Sequence, residues 1–488
     1  MSFIQITRIP SLKTPQAFRD YCGKLGIDLQ CEDSIVTGSA SPLTKPLKWE
    51  GRTIGNSWCV HPMEGWDGTT TGGATEPMRR RWQRFGESGA KLIWGGEAMA
   101  VCPEGRANPN QLIINETNQR EIAGLRETLI QAHPGKTDDL IIGFQLTHSG
   151  RFCRPTDKKR LEPRVAYRHP ILDKKFNITS DAQVWTDDEI KRLIDSYIAA
   201  AKIAKECGAD FVDIKHCHGY LLHEFLGAHT RPGLFGGSLE NRTRILRDIT
   251  AGIRANVPGL GIGVRVSIFD FVPYKPDPVL SQPGKLGPGI PEDYSHCLPY
   301  RYGFGVNPQN PVAYDLTEPI QFLKICEQLG ITLVNISAGS PYYNPHVSRP
   351  AAYPPSDGYQ PPEDPLVGCA RQINVVKELK RHAPKLILVG TAYTYLQEYL
   401  PHVAQYYLRR GHVDSIGIGR VVLSYPRIIV DAIEKGDLER KLICRTFSDC
   451  TTAPRNGMIS GCYPLDDYYK QKPEAAQVKQ VKLTMGKP

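Results

Sequence analysis

The chain has 488 residues, 40% hydrophobic and 23% charged, with 45 glycines and 39 prolines, which fits a loop-rich globular protein and excludes a disordered or collagen-like one. Its 60 basic and 51 acidic residues leave a net charge of +9 spread along the chain. No concentrated basic stripe points to nucleic acid, and no uninterrupted apolar run is long enough to span a membrane.

Residues 1–49 read as an irregular leader. The opening MSFIQITRIPSLKTP has no basic segment followed by an apolar core, so it predicts no signal peptide. The 13 cysteines are an odd number and mostly scattered, which predicts reduced thiols in a cytoplasmic protein. From residue 50 short apolar runs alternate with longer helical patterns. Strands are predicted at Asn56–Val60, Lys91–Trp94, Leu140–Leu146 and Phe211–Lys215, then at Gly261–Ser267, Ile331–Ile336, Lys385–Val389 and Ser415–Ile418. Helices are predicted at Glu76–Ser88, Asn118–Ala132, Asp187–Cys207 and Leu239–Ala255, then at Pro319–Leu329, Ala370–Arg381, Leu396–Arg409 and Pro426–Glu434. Asp187–Cys207 carries the clearest signals: a Thr186/Glu189 capping box, an apolar face through Leu193, Tyr197 and Ala201, and Gly208 to end it.

Eight strand–helix repeats predict an α/β fold, a (β/α)8 TIM barrel over residues 50–435, followed by a C-terminal extension over 436–488. Three irregular stretches, Gly150–Gln183, Phe271–Tyr314 and Gly339–Val367, each follow a strand and therefore belong to the C-terminal face. The last two are expected to wall a pocket there. No G-x-G-x-x-G follows any strand, so a resident Rossmann site is not expected.

The densest chemistry is Asp213-Ile-Lys-His-Cys-His-Gly-Tyr-Leu-Leu-His-Glu-Phe-Leu226, continuing to Phe235-Gly-Gly-Ser-Leu-Glu-Asn-Arg242. Lys215, His216, His218 and Tyr220 gather at one strand end. Read from chemistry alone, the histidines either cap the strand and helix or help to bind an anion and deliver a proton. The stretch resembles the pattern H-x-A-(H/N)-G-Y-L-x-x-(Q/E)-F-L…Y-G-G-S-x-E-N-R of Old Yellow Enzyme-type NADH:flavin oxidoreductases. Further landmarks follow in order between Asn56 and Tyr425: His61-Pro62-Met63, Glu97-Ala98, Gln145 to Arg151, Val264 to Ser267, Val389-Gly390 and Gly419-Arg420. The barrel is similar in particular to those of 2,4-dienoyl-CoA reductase and trimethylamine dehydrogenase relatives.

The resemblance implies FMN at the strand ends, with NADH or NADPH as transient reductant. Pro62, Met63, Ala98 and Gln145 would line the isoalloxazine, and Arg265 would lie beside its pyrimidine edge. Val389, Gly390, Thr391, Gly419 and Arg420 would form the phosphate end, with Gly339 also at the cofactor site. Tyr220 matches the family's proton donor, and His218 matches one member of the pair that grips the substrate oxygen. Lys215 stands where the other member is usually histidine; it would hold a charged ligand or contact the flavin. His216 stands at a usually small position and is expected to point away. Glu64 replaces a usual Thr or Cys; unless paired or protonated, its carboxylate would make the flavin harder to reduce. His148 matches the strand-three histidine, with loop packing as its evident role.

The extension carries Cys444, Cys450 and Cys462 where cluster-bearing relatives hold iron–sulfur. The spacing lacks the second cysteine, with Phe447 in its place, so a relic without a cluster is expected and these three are the weak metal candidates.

The expected activity is ping-pong reduction of an activated C=C bond in a small molecule by a homo-oligomer, with neither nucleic acid nor membrane as partner. Two alternatives stay open. One is oxidation of a tertiary amine, with Trp66, Tyr342 and Tyr343 as an aromatic cage. The other is a colourless phosphate-binding barrel, in which Gln145 and Arg265 would have no ring to meet.

Overall fold

Parallel strands close on themselves around a sealed floor, as a computed structural model describing residues 3–485 shows. In chain order the strands are β1 Trp58–Val60, β2 Leu92–Ile93, β3 Ala98–Ala100, β4 Ile141–Thr147, β5 Phe211–Ile214, β6 Gly261–Ser267, β7 Leu333–Ser337, β8 Ile387–Gly390 and β9 Ser415–Ile418. Each pairs with its neighbours in parallel, and Ile418 beside Val60 closes the ring between β9 and β1. β2 and β3 share one place in the barrel, both pairing with β4, at Ile141 and at Gln145. The predicted strand Lys91–Trp94 is therefore the first half of a broken strand. The break needs glycine: Gly96 has φ +54°, and a Cβ there would lie 2.3 Å from the Trp82 ring.

Among the described residues eight helices surround the barrel: α1 Glu76–Glu87, α2 Gln119–Ala132, α3 Asp187–Glu206, α4 Arg244–Asn256, α5 Thr317–Gln328, α6 Pro365–His382, α7 Leu400–Arg409 and α8 Ile428–Glu434. α3 forms as expected, with the Thr186/Glu189 capping box in place and Gly208 at φ +86° after its end. α7 starts later than predicted. Pro401 is tolerated only in a helix's first turn, so the preceding Tyr393–Tyr399 is a kinked 3-10 stretch instead. α6 starts earlier, because Asp364 caps it by accepting from the Leu366 N–H at 2.9 Å. No helix among the described residues is long and apolar enough to cross a membrane.

The hairpin Leu47–Trp49/Arg52–Ile54 plugs the N-terminal end of the barrel. Trp49, Trp94, Phe211 and Val389 pack together there, with Trp49 edge-on to Phe211 at 5.7 Å. With the floor filled, ligand space is confined to the opposite end. The leader is not irregular throughout: Thr14 caps a helix over Pro15–Lys24, whose Phe18 stacks on Tyr399 at 4.5 Å. The extension forms helices Asp449–Arg455, Asp467–Lys470 and Glu474–Thr484 around Ala453, Tyr463, Tyr469 and Val478. Asp466 anchors it to α1 through Arg80 and Arg84 at 3.0 and 3.1 Å.

Candidate active site

A cavity of about 230 Å3 opens at the C-terminal ends of the strands. Of the residues expected at the cofactor, Pro62, Met63, Glu64, Gln145, Lys215 and His218 line it. Arg265, Thr391, Gly419 and Arg420 do so as well. Four others are not among its lining residues. Val389 belongs to the floor cluster, because successive side chains on a strand alternate and its own points into the filled barrel. Ala98 is buried in β3 beside Gln145. Gly390 abuts Val413 and Tyr393. Gly339, at φ +54°, turns the chain and accepts a hydrogen bond from Ser267 Oγ at 2.8 Å.

The strand-five segment turns sharply after Cys217. His218 and Gly219 have φ of +66° and +78°, so the chain doubles back and starts the short helix Leu221–Leu226 with Tyr220 as its cap. His218 is fixed on three sides. Its N–H donates to Ser267 Oγ (2.9 Å), its carbonyl accepts from Ser340 Oγ (2.7 Å), and its Nε2 lies 2.9 Å from Ser337 Oγ. Burial first, then the cations Arg265 and Lys215, hold its pKa well below the ordinary histidine value, so the ring is neutral. His216 faces the other way as expected, buried with Nδ1 2.7 Å from the Ile214 carbonyl and its ring beside Phe322 of α5.

Glu64 is the hub of a polar group at the cavity. It accepts from Lys215 Nζ at 2.8 Å, from the Tyr220 hydroxyl at 2.9 Å and from Trp66 Nε1 at 2.9 Å. The Lys215 ammonium also sits 3.5 Å from the Tyr220 ring centroid. Lys215 is therefore committed to Glu64 and Tyr220, and the pairing that would neutralise Glu64 is present. The Tyr342 hydroxyl lies 2.8 Å from that of Tyr220, and the Tyr342 ring stacks on Phe152 at 4.0 Å. Burial, the Glu64 carboxylate and Tyr342 all push Tyr220 well above the ordinary tyrosine pKa, so it stays protonated.

The loop carrying Glu64 is held from below. Arg81 of α1 bonds Glu97 through Nε (2.8 Å) and Asp67 through its two terminal nitrogens (2.9 and 2.6 Å). The Gly65 N–H donates to Glu97 at 3.3 Å, and Trp66 is held at φ +52°. Burial raises Glu97 to about 7 despite Arg81. Deeper still, buried Asp213 accepts from Gln145 Nε2 and from the Arg265 N–H, each at 2.6 Å, and burial lifts it to about 6. The Gln145 amide is thus oriented with its oxygen left for a ligand.

Two guanidinium nitrogens supply the test of fit to FMN. Arg265 Nε and Arg420 NH1 are buried and have no hydrogen-bond partner among the described residues. A buried donor without an acceptor is costly, so both positions call for an anion or acceptor. An electron-rich ring edge at Arg265 and a phosphate at Thr391, Gly419 and Arg420 meet that need, and the residues present fit the cofactor.

The walls differ from expectation. The 339–367 loop contributes Pro341, Tyr342 and Arg349, but no residue of 271–314 lines the cavity. That loop packs on 150–183 instead, through the Tyr167 hydroxyl donating to the Tyr302 carbonyl (2.8 Å). Its place is taken by the extension, which brings Cys450, Thr451 and Arg455 into the wall. Sequence reading missed Arg349, Thr451 and Arg455, since isolated residues in loops have no periodicity to betray them. His148 accepts from the Gly150 N–H at 3.1 Å and lies edge-on to Trp185, which is loop packing. Cys444, Cys450 and Cys462 are free thiols, and among the described residues no group of three His, Cys, Asp or Glu is gathered as a metal-ligand set.

The sequence matches known proteins over part of its length. Over 226 residues it is 32% identical to the NADPH dehydrogenase of Halalkalibacterium halodurans, an overlap of 46% of this chain and 62% of that one. The fold is shared with 2-naphthoyl-CoA reductase in complex with 2-naphthoyl-CoA (TM-score 0.64, 18% identity, 90% of this chain and 58% of that chain). It is also shared with the old yellow enzyme homologue of Zymomonas mobilis (TM-score 0.54, 21% identity, 80% and 91%). Residues 42–279, from just before the floor hairpin through the Lys215–Tyr220 turn and past Arg265, match the NADH:flavin oxidoreductase / NADH oxidase family.

Proposed function

We propose that this protein is an FMN-dependent, NAD(P)H-driven reductase of activated C=C bonds. The observation that carries the reading is Tyr220: a hydroxyl kept protonated, facing the same cavity as Gln145, His218 and Arg265. FMN bound there would supply the hydride exchange between the nicotinamide and the alkene. Arg265, with no ion pair among the described residues, offers a fixed positive charge beside the ring's pyrimidine edge. His218, neutral and anchored through Nε2, keeps its other ring nitrogen for the substrate's activating oxygen. Tyr220 gives its proton to the alkene carbon opposite the one that receives hydride, and the Tyr342 hydroxyl, within hydrogen-bond reach, relays a proton from solvent back to it.

The amine-oxidising alternative loses support from the cavity. Trp66 and Tyr342 line it, but Tyr343 turns away and donates to Asp270 at 2.6 Å, so a three-ring cage does not assemble. Arg265, Arg349, Arg420 and Arg455 line the cavity, while its lining carboxylate Glu64 is already paired with Lys215, which disfavours a cationic substrate. A colourless phosphate-binding barrel would satisfy Arg420 and leave the Arg265 donor unmet.

The test begins with the absorbance spectrum of the purified protein, which should show bound flavin bleached by NADPH or NADH under anaerobic conditions. Tyr220→Phe should then lower the rate of enone reduction by about 100-fold or more, the range of general-acid catalysis, while reduction by NAD(P)H persists. Wild-type rates of enone reduction in Tyr220→Phe would remove the proton-donor role.

A further inference from the structure

Three guanidiniums follow one another along the cavity wall: Arg420 after β9, Arg349 from the 339–367 loop, and Arg455 from the extension. Arg349 feels both of the others; burial and their like charges push it down to about 9. Its one side-chain hydrogen bond among the described residues is from NH1 to Thr451 Oγ1 at 2.7 Å, and its Nε is buried without a partner. The carboxylate that offsets the group is Asp357, ion-paired to Arg455 from a half-exposed position. Keeping adjacent cations in a desolvated wall is costly unless an anion arrives to meet them.

A flavin phosphate at Thr391, Gly419 and Arg420 accounts for Arg420 and for the near side of Arg349. It does not reach Arg455, whose partners are the half-exposed Asp357 and the Pro341 carbonyl, which accepts from its NH2 at 3.0 Å. That guanidinium is 5.3 Å from the centroid of the Tyr342 ring, the ring whose hydroxyl touches Tyr220. It therefore stands at the reacting end of the cavity, one ring away from the proton donor.

We propose that Arg455, with Arg349 beside it, is a subsite for an anionic oxygen group on the substrate, a carboxylate, so that the alkene reduced at Tyr220 belongs to an acid. The inference rests on the ene-reductase reading and adds a substrate class to it. The extension then has a function in specificity: it carries the cation that selects the substrate. The two phosphate groups of a nicotinamide dinucleotide are the rival occupants, because they offer the same chemistry.

The experiment uses the holoenzyme and two enones that differ only in charge, 4-oxopent-2-enoate and its methyl ester. The wild type should prefer the acid. Arg455→Leu should lower the acid-to-ester ratio of kcat/KM by about 10- to 100-fold, the worth of one charge-assisted hydrogen bond, mainly through KM for the acid. Arg455→Lys should restore part of it. Asp357→Asn, which frees Arg455 from its partner, should raise the ratio, a direction that misfolding does not produce. Equal losses on acid and ester would overturn the subsite. So would a loss confined to anaerobic flavin reduction by NADPH, which would assign Arg455 to the dinucleotide. If NADPH bleaches the flavin yet neither enone is reduced, the ene-reductase reading fails and binding alone decides. Benzoate, and not benzamide, should then raise the melting temperature of the wild type but not of Arg455→Leu; absence of that difference would overturn the subsite by itself.

Discussion

Glu64 and Tyr220 are coupled through a single 2.9 Å hydrogen bond, and the coupling has a sign. The Glu64 carboxylate disfavours tyrosinate both by its charge and by accepting the hydroxyl's hydrogen bond, so it raises the Tyr220 pKa. Lys215, 3.5 Å from the ring, acts in the opposite sense on a phenolate. Replacing Glu64 by Gln removes the negative charge and leaves the ammonium. Tyr220 should then lose its proton at lower pH than in the wild type. Proton donation requires the neutral phenol, so the alkaline limb of the pH profile for alkene reduction should move down in Glu64→Gln. Lys215→Met, which removes the ammonium and leaves the carboxylate, should move it up. Single-turnover reduction of an enone by prereduced enzyme across pH measures both, and an unmoved limb in Glu64→Gln would separate Glu64 from the proton chemistry. At this scale the sequence displayed Tyr220, His218 and the departures Lys215 and Glu64, because they sit within or beside a local motif. It did not display that the two departures answer one another, since Glu64 and Lys215 meet only when β1 and β5 are assembled in one barrel.

The loop after β1 shows how elements, and not single residues, hold the site. Its backbone passes over Arg81 of α1, a guanidinium clamped between Asp67 and Glu97 with all three side chains almost wholly buried. A Cβ on Gly65 would lie 2.2 Å from Arg81 NH2, so the loop rests directly on that cation. Removing Arg81 strands two carboxylates in the interior, and breaking a buried pair costs about 3–5 kcal/mol. Arg81→Met should therefore lower the urea midpoint markedly. Arg81 is also what draws Glu97 and Asp67 back toward ionisation. Without it their folded pKa values rise further above the unfolded ones, and stability contributed by their neutral forms is lost as pH rises through those values. The deficit of Arg81→Met should thus be larger at pH 8 than at pH 5, and a deficit independent of pH would point to lost packing instead. Elements with strong local signals were legible in advance: β6 and β9 have the expected bounds, and α3 has its capping box. The interruption between β2 and β3 was not, because Trp94-Gly-Gly96 reads as a strand end and the return of Ala98–Ala100 to β4 is a tertiary pairing.

Across the whole molecule the two chain segments outside the repeat pattern close the two ends of the barrel. The extension walls the mouth with Arg455, and the residues just before β1 seal the floor with Trp49. A sequence boundary drawn after residue 49 cuts through that seal, because the hairpin that begins at Leu47 crosses it and only the assembled barrel gives Trp49 something to pack against. Trp49 is buried edge-on to Phe211 and fills the space a Cβ on Gly261 would otherwise take, at 2.4 Å from its ring. Truncating such a side chain removes its burial and opens a cavity that a closed ring of strands cannot collapse to fill, for a cost of about 3–5 kcal/mol. Trp49→Ala should accordingly lower the thermal-inactivation temperature of the holoenzyme. Filled side-chain layers separate Trp49 from Gln145, Arg265 and Tyr220 at the other end, so its effect belongs to stability and not to chemistry. At temperatures where the variant remains folded, the acid-to-ester preference and the pH limb set by Glu64 should match those of the wild type. If either moved with Trp49→Ala, the floor and the mouth would be mechanically coupled through the strands, and the barrel would be a transmitting element instead of a rigid base.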